Sequence, residues 1–596
     1  MMNARAGLAG LVAVVVAGLL AGGSGGGGVA AAGVGPGSVV VSPVAAAPGW
    51  LAEINSVRVG AGLGLVVEDV GLEAGLRAHV AYLAGTAASL LVGRWADLRT
   101  ENPASPLYSV AGAAAGGSAL LAWGARSDVD AIDIWLASPL HAVALLAPGL
   151  KAVGFARSAG GVAALDVVDG LDATVTAPTV AVLFPGDGAT TGLPAYSGGE
   201  FPDPIQTCVK QYPGLDWSSP GLPVVAMLPA APVAGLSASL SGPSGAVGSG
   251  SGGGLCVLGR STFVTTDPVY GLAGANILAG SRAVVLIPRA PLVNGAYTAT
   301  ISQPGQADVT WSFTVAASLV NVTAPVVAGA PVVGGYVQVA AGGWVLGVAP
   351  VSAGVSYRYQ WSAGGVPVAG ATGASYCPMP ADAGEALSVT VTASMPGYGP
   401  GSVTVSVPGK VAAGAIANIS APTVAGVARV GVRLTVASPG KWSSAAGQLA
   451  YSYQWYAGGV AVAGATGSGF TPGAAQAGKA LSVKVTASAA GYASAAKSSA
   501  ATGAVAKGAL VRKARPALTG TVRVGGTLKV TTGVWSPSAT VRVQWYAGGK
   551  AVKDATKANL KLTAAMRGKA VTVRLTATRP GYTTATVTLT AKTKVR

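Results

Sequence analysis

Side chains able to do acid–base, nucleophilic or metal chemistry are scarce in this sequence. Its 596 residues include two His, three Cys and 21 Asp plus Glu. So few His and Cys exclude zinc-rich and disulfide-dense proteins. A Ser-His-Asp triad would have to use His79 or His141, and neither has a nucleophile motif to work with. No P-loop, G-x-G-x-x-G turn, G-x-S-x-G elbow or H-E-x-x-H segment occurs. Asp187, Glu200 and Asp203 offer carboxylates of the kind glycoside chemistry uses in pairs. Pro and Gly surround all three, so they read as turn and cap residues. Cys208 and Cys256 lie 48 residues apart. In an oxidising compartment they can close a disulfide contributing roughly 3 to 4 kcal/mol. Cys377 is the odd thiol, buried or free.

Charge is the stronger signal. Lys and Arg number 38, a formal net charge of +17. Residues 507–596 alone hold 18 of them against one acid, Asp554, and so carry the whole excess. The preceding 506 residues balance at 20 basic and 20 acidic. Arg542, Lys550, Lys553, Lys557 and Lys561 are read as alternating along strands, and Lys569 and Arg574 continue the set. Such a surface is either a solvated basic face that aids solubility or an attachment face for anionic wall polymers such as teichoic or uronic acids. No nucleic-acid module is recognisable.

The elements that must position these residues begin with an export signal. Arg5 precedes an apolar run from Leu8 to Leu20, followed by small residues at Ala21, Gly22 and Gly23. The run is shorter than the roughly 20 residues a membrane span needs. Residues 1–28 read as a cleaved signal peptide and 29–47 as a flexible Gly/Ala/Val/Pro linker. No Cys follows the apolar run to take a lipid, and the last six residues carry no hydrophobic tail. The expected location is therefore secreted, extracellular or associated with the cell envelope, with no membrane span after signal removal.

The C-terminal half repeats itself. Tyr359-Gln360-Trp361, Tyr453-Gln454-Trp455 and Val543-Gln544-Trp545 are each followed, 37 residues after the Trp, by the Tyr of a Gly-Tyr pair: Tyr398, Tyr492 and Tyr582. Between them Leu481, Val483 and Val485 alternate with polar residues, the period of a half-buried strand. Gly-rich turns recur at the spacing of a β-sandwich. Each unit is long enough to fold alone, so beads are expected rather than a solenoid. The QW tryptophan fills the core of each. A second Trp (Trp344, Trp442, Trp535) lies 17, 13 and 10 residues upstream, across a loop of varying length. The pattern resembles tandem bacterial immunoglobulin-like repeats of secreted actinobacterial proteins. That resemblance implies spacer or envelope-binding modules.

Residues 48–172 differ. Leu72, Leu76, His79, Val80 and Leu83 have helical spacing, as do Ile132, Trp135 and Leu136. Two β-like runs follow, 152–156 and 162–167. The order Asn55-Ser56-Val57-Arg58, His79 to Ala84, Glu101-Asn102-Pro103, Ser118 to Gly124, Trp135-Leu136-Ala137-Ser138-Pro139-Leu140-His141 and Val153-Gly154-Phe155 resembles a CAP domain, of the cysteine-rich secretory and pathogenesis-related superfamily. The resemblance implies an α-β-α sandwich with a surface cleft, which in many members holds two His and acidic residues, sometimes around a metal. His141 matches the second cleft His. An H-T-E-like segment should supply the first, but the chain reads Arg99-Thr100-Glu101. A Gly-Glu-Asn segment of the family has no counterpart. Arg99 would repel a metal cation, and His79 does not substitute by position. The cleft candidates are thus His141, Glu101 and Arg99, with no metal, no catalytic residue and no cofactor expected. A small lipid or peptide remains a possible ligand by analogy with the superfamily.

Residues 173–316, from Phe184-Pro185-Gly186-Asp187-Gly188 to Trp311-Ser312-Phe313-Thr314, resemble the β-rich segment that follows CAP domains in such proteins. Residues 248–254 read as a flexible loop within it. The expected architecture is multidomain: an α-β-α sandwich CAP domain, a β-sandwich domain, and immunoglobulin-like β-sandwich repeats over 317–411, 412–506 and 507–596. The expected function is non-enzymatic binding outside the cell. The alternatives are a CAP-type metal-dependent hydrolase or protease and a lipid carrier.

Overall fold

Three helices in the N-terminal unit start where a short polar side chain can accept a backbone amide. In the computed structural model Asp69 caps α2 (Val70–Gly85), Ser109 caps α3 (Val110–Ser118) and Ser127 caps α4 (Asp128–Leu136). α1 is Gly49–Gly60 and α5 is Pro139–Leu145. The structure describes residues 47–596 except 176, 250, 251, 253 and 352, together with Val12–Ala13. The expected signal and linker otherwise lie outside the described residues, as does part of the 248–254 loop.

Four strands make one sheet in the order Val67–Glu68, Ala152–Arg157, Ala163–Asp166, Ala119–Ala122. Successive side chains leave a strand on opposite faces, and both faces are covered. Leu120, Val153, Phe155 and Leu165 join Trp50, Ile54, Ile132 and Trp135 of α1 and α4. Leu121, Ala156 and Ala164 join Leu76, Val80 and Leu83 of α2.

The middle unit has a five-stranded sheet containing Ser237–Gly242, Gly295–Ser302 and Val309–Val315. A four-stranded sheet contains Leu255–Leu258, Ala283–Pro288 and Val224–Met227. Strands 224–227 and 283–288 are buried throughout, because helices Ile205–Gln211, Ala273–Gly280 and α5 lie against that sheet. The plain sandwich expected from the turns therefore gains a helical layer. Cys208 and Cys256 form a disulfide between helix 205–211 and strand 255–258, with Cα atoms 5.3 Å apart. Cys377 is a half-buried free thiol.

Each C-terminal repeat is an immunoglobulin-like β-sandwich. The QW strand pairs with the following V-x-V-x-A strand: Ser356–Ala363 with Ala386–Ser394, Ala450–Ala457 with Leu481–Ser488, Thr540–Ala547 with Val571–Thr578. The motif has a mechanical reading. Trp361, Trp455 and Trp545 are fully buried. Each indole N–H donates to a carbonyl twelve residues on, Gly373, Gly467 and Lys557. The preceding Gln donates to the carbonyl eight residues on, Val368, Val462 and Val552. The pair closes the Gly-Gly hairpin onto the core.

Repeats 2 and 3 have cores of their own. The first repeat is not a separate bead, because its core runs on into those of the middle and N-terminal units. The Gly-Tyr pairs join neighbours: Tyr492 packs against the core that includes repeat 1, and Tyr582 against that of repeat 2. Gly414 and Gly508 are glycine because a Cβ there would overlap these tyrosine rings.

Candidate functional site

The three cleft candidates do not meet in one open site. Glu101 is buried against His79, not His141: Oε1 lies 3.0 Å from His79 Nδ1, and Oε2 accepts the Ser109 amide at 2.9 Å. His79 Nε2 faces the Leu98 carbonyl at 3.0 Å. Both ring nitrogens thus face acceptors. A neutral imidazole donates from only one, so the full hydrogen-bond set needs one more proton on the pair. Burial pulls the His79 pKa below the ordinary value, against the opposing pull of Glu101. The pair ties α2 to the 98–101 segment. Sequence position placed His79 outside the constellation, but the side chain 22 residues before Glu101 is its partner.

Arg99 makes a bidentate pair with Asp97, at 2.8 Å through both Nε and Nη2. Its guanidinium lies 4.9 Å from the Tyr270 ring centroid. Its charge is matched locally and does not point to an anionic ligand.

His141 belongs to α5, whose seven residues are all buried. This helix is held at both ends by polar side chains from elsewhere. At its start the Leu140 and His141 amides each donate to Glu200 Oε1 at 2.9 Å. At its end Arg58 donates to the carbonyls of Leu145 at 2.7 Å, Ala147 at 3.1 Å and Leu150 at 3.1 Å. The carboxyl at the helix start accepts amides left free there, and the guanidinium at its end donates to the free carbonyls. Burial brings the Arg58 pKa down to about 10. Burial also drives the Glu200 pKa well above the carboxylate range, although the two amides favour its anion. His141 Nδ1 is 3.6 Å from Glu200 Oε1. Glu200 is therefore a cap residue, but for a helix in another unit. Asp203 accepts the Ile205 amide and Asp187 the Ser312 amide, as local cap and turn residues. Among the described residues no three His, Cys, Asp or Glu side chains come together as metal ligands.

A cavity of about 870 Å³ lies between α1, α4, the 184–193 segment and repeat 1. Glu53, Asp130 and Asp133 line it. Asp130 is ion-paired with Arg126. Burial first, then the charges of Glu53 and Asp130, push the Asp133 pKa up to about 7.

In the last repeat all seven singled-out cations are exposed. They do not follow one strand. Arg542 and Arg574 lie on the outer face of the four-stranded sheet, opposite Thr576 and Gln544. Lys550 is in the short hairpin strand Lys550–Ala551, and Lys553 and Lys557 are in the turn after it. Lys561 lies on the other sheet, in Asn559–Lys561. Lys569 precedes strand 571–578 and packs beside Gly548 of the hairpin. The strand reading was too narrow, because hairpin and turn break the alternation. The charge wraps the domain. Arg574 stacks over Tyr546 at 5.5 Å. The ion pairs among the described residues all lie before residue 201.

No family model matches the chain, and no curated protein does. Among solved structures it is similar to a Ca2+-stabilized adhesin that helps an Antarctic bacterium reach out and bind ice: 12% identity over 63% of this chain and 94% of that one, TM-score 0.21. It is also similar to a tetra-tandem repeat in the extending region of a large adhesion protein: 14% identity, 63% and 95% covered, TM-score 0.24. A set of titin domains gives 12% identity, 49% and 94% covered, TM-score 0.18. At such TM-scores the likeness carries no functional argument, and the sandwich assignment rests on strand order and register. Among the described residues no helix is long and apolar enough to cross a membrane.

Proposed function

We propose that this is an exported, envelope-associated binding protein without catalytic activity, held to anionic wall polymers by its last repeat. The observation that carries the reading is the charge of residues 507–596: eighteen cations against Asp554, with all seven singled-out side chains exposed. No ion pair of the described residues draws on them. Unpaired cations spread around a rigid β-sandwich suit a flexible polymer of repeating negative charge better than one small anion. The N-terminal unit, with helices on both faces of its sheet, supports a CAP-type fold. Its two His side chains each lie buried beside a Glu, Glu101 and Glu200, which supports binding or scaffolding over hydrolysis.

The test uses salt. The isolated 507–596 sandwich has its own core and is expected to sediment with isolated cell walls at low ionic strength. Moderate salt should release it, since exposed charges are screened within about 10 Å at 0.1 M. Retention that does not respond to salt would contradict the proposal.

A further inference from the structure

Unbalanced cations are not confined to the last repeat. Repeat 2, residues 412–506, holds six Lys and Arg and no Asp or Glu, whereas repeat 1 balances two against two. All six are exposed, and none is in an ion pair of the described residues.

Three of the six fall where repeat 3 also has a cation, and backbone pairing fixes the equivalence. Lys484 lies opposite Gln454 as Arg574 lies opposite Gln544, both on the outer face of a four-stranded sheet. Lys479 lies beside Gly458 of its hairpin as Lys569 lies beside Gly548. The Arg429 carbonyl accepts the Val432 amide as the Arg523 carbonyl accepts the Gly526 amide. All three partners in repeat 3 are exposed as well. Repeat 1 has Thr390, Glu385 and Val332 at these places, so the fold itself does not require a cation there. The other three cations of repeat 2, Arg433, Lys441 and Lys497, correspond to Thr527, Val534 and Val587 in repeat 3.

The two sets are joined by paired backbone. Gly508–Ala509 pairs in parallel with Tyr582–Thr583, and the Gly508 amide donates to the Gly581 carbonyl at 2.9 Å. The joint carries a cation of its own. Arg579 stacks over Tyr582 at 5.5 Å and donates to the Ser538 carbonyl at 2.6 Å. No Asp or Glu is among the described residues lining the cavity of about 680 Å³ there.

We propose that repeats 2 and 3 form one composite site for a single linear polyanion, which crosses the joint and meets the same three cation positions on each repeat. The proposal rests on the reading of repeat 3 as a wall-polymer anchor and adds a second foothold to it. A ligand that recognises positions repeated from one module to the next must itself repeat its charge. A small anion can occupy only one set. Linking two sites raises affinity for a chain long enough to reach both, with no new kind of contact. Counterion release makes that gain depend on salt, in proportion to the cations engaged.

The test titrates the full chain with tripolyphosphate, long-chain polyphosphate and polygalacturonate at several salt concentrations. The parent should bind at least one long chain about tenfold or more tighter than tripolyphosphate, counted per charge. A variant combining Arg429→Gln, Lys479→Gln and Lys484→Gln should lose about tenfold for that chain and under about twofold for tripolyphosphate. Its slope of log affinity against log salt should shallow by about 2, three charges at roughly 0.7 each. A matched variant combining Arg433→Gln, Lys441→Gln and Lys497→Gln removes the same charge from positions without a counterpart and should lose under about threefold. Equal losses in the two variants would overturn the proposal, since net charge alone would then account for binding. Parent-like binding by the first variant would overturn it and leave repeat 3 standing as the anchor. A parent that binds neither long chain would overturn both readings. Single-stranded DNA bound more than about tenfold tighter per charge than either chain would overturn the assignment to a wall polymer.

Discussion

Asp133 is a residue whose environment is at odds with its charge. It lies on α4 beside Glu53 and Asp130, and its pKa is pushed up to about 7 from 3.8. The folded state then holds a proton that the unfolded chain has already lost between about pH 4 and 7, so stability falls as pH rises through that window. Asp133→Asn removes the penalty. Calorimetry of the full chain should find the variant equal to the parent near pH 4 and more stable near pH 8, by about 2 kcal/mol once partial exposure is allowed for. A difference independent of pH would place the effect elsewhere. The same locality explains what could be read at this scale. Cys208 and Cys256 are paired, as a reading of the cysteines alone allowed. The His79–Glu101 pair was not legible, because 22 residues with no common period separate the partners and only packing of the loop onto α2 brings them together.

At the scale of elements, α5 shows how one helix joins two units. Nothing around Pro139–Leu145 announces a partner, since Glu200 lies about sixty residues on, in a Gly- and Pro-rich stretch. Its role depends on tertiary docking. Glu200→Ala should leave two buried amides without an acceptor and lower the stability of the first two units by about 2–3 kcal/mol in thermal unfolding. Glu200→Gln keeps an acceptor and should cost under about 1 kcal/mol. Equal losses would show that the cap is not what matters. The QW strands were legible for the opposite reason. Alternation of period two, repeated three times, is local, and the Trp and Gln hydrogen bonds close within twelve residues.

At the scale of the molecule, the chain is a fused N-terminal body followed by two sandwiches, each docked through a Gly-Tyr pair. Tyr582 inserts beside the repeat 2 core, so Tyr582→Ala should loosen the last junction. Solution scattering should then show a broader spread of end-to-end distances, while the melting of each repeat changes little. An unchanged scattering profile would mean that the tyrosine does not set the junction. The merging of repeat 1 into the N-terminal body was not visible in its pattern, which matches its neighbours; contacts with the middle unit decide it. The charge map was visible, because eighteen cations against one acid can be counted without a structure. Only their placement around hairpin, turn and both sheets needed coordinates. The most direct measurement compares sedimentation with isolated, teichoic-acid-rich cell walls for the full chain and for a chain ending at residue 506, both at low salt. The shorter chain is expected to lose at least about tenfold in apparent affinity, as the loss of many phosphate-type contacts would give. Equal binding by the two chains would contradict it.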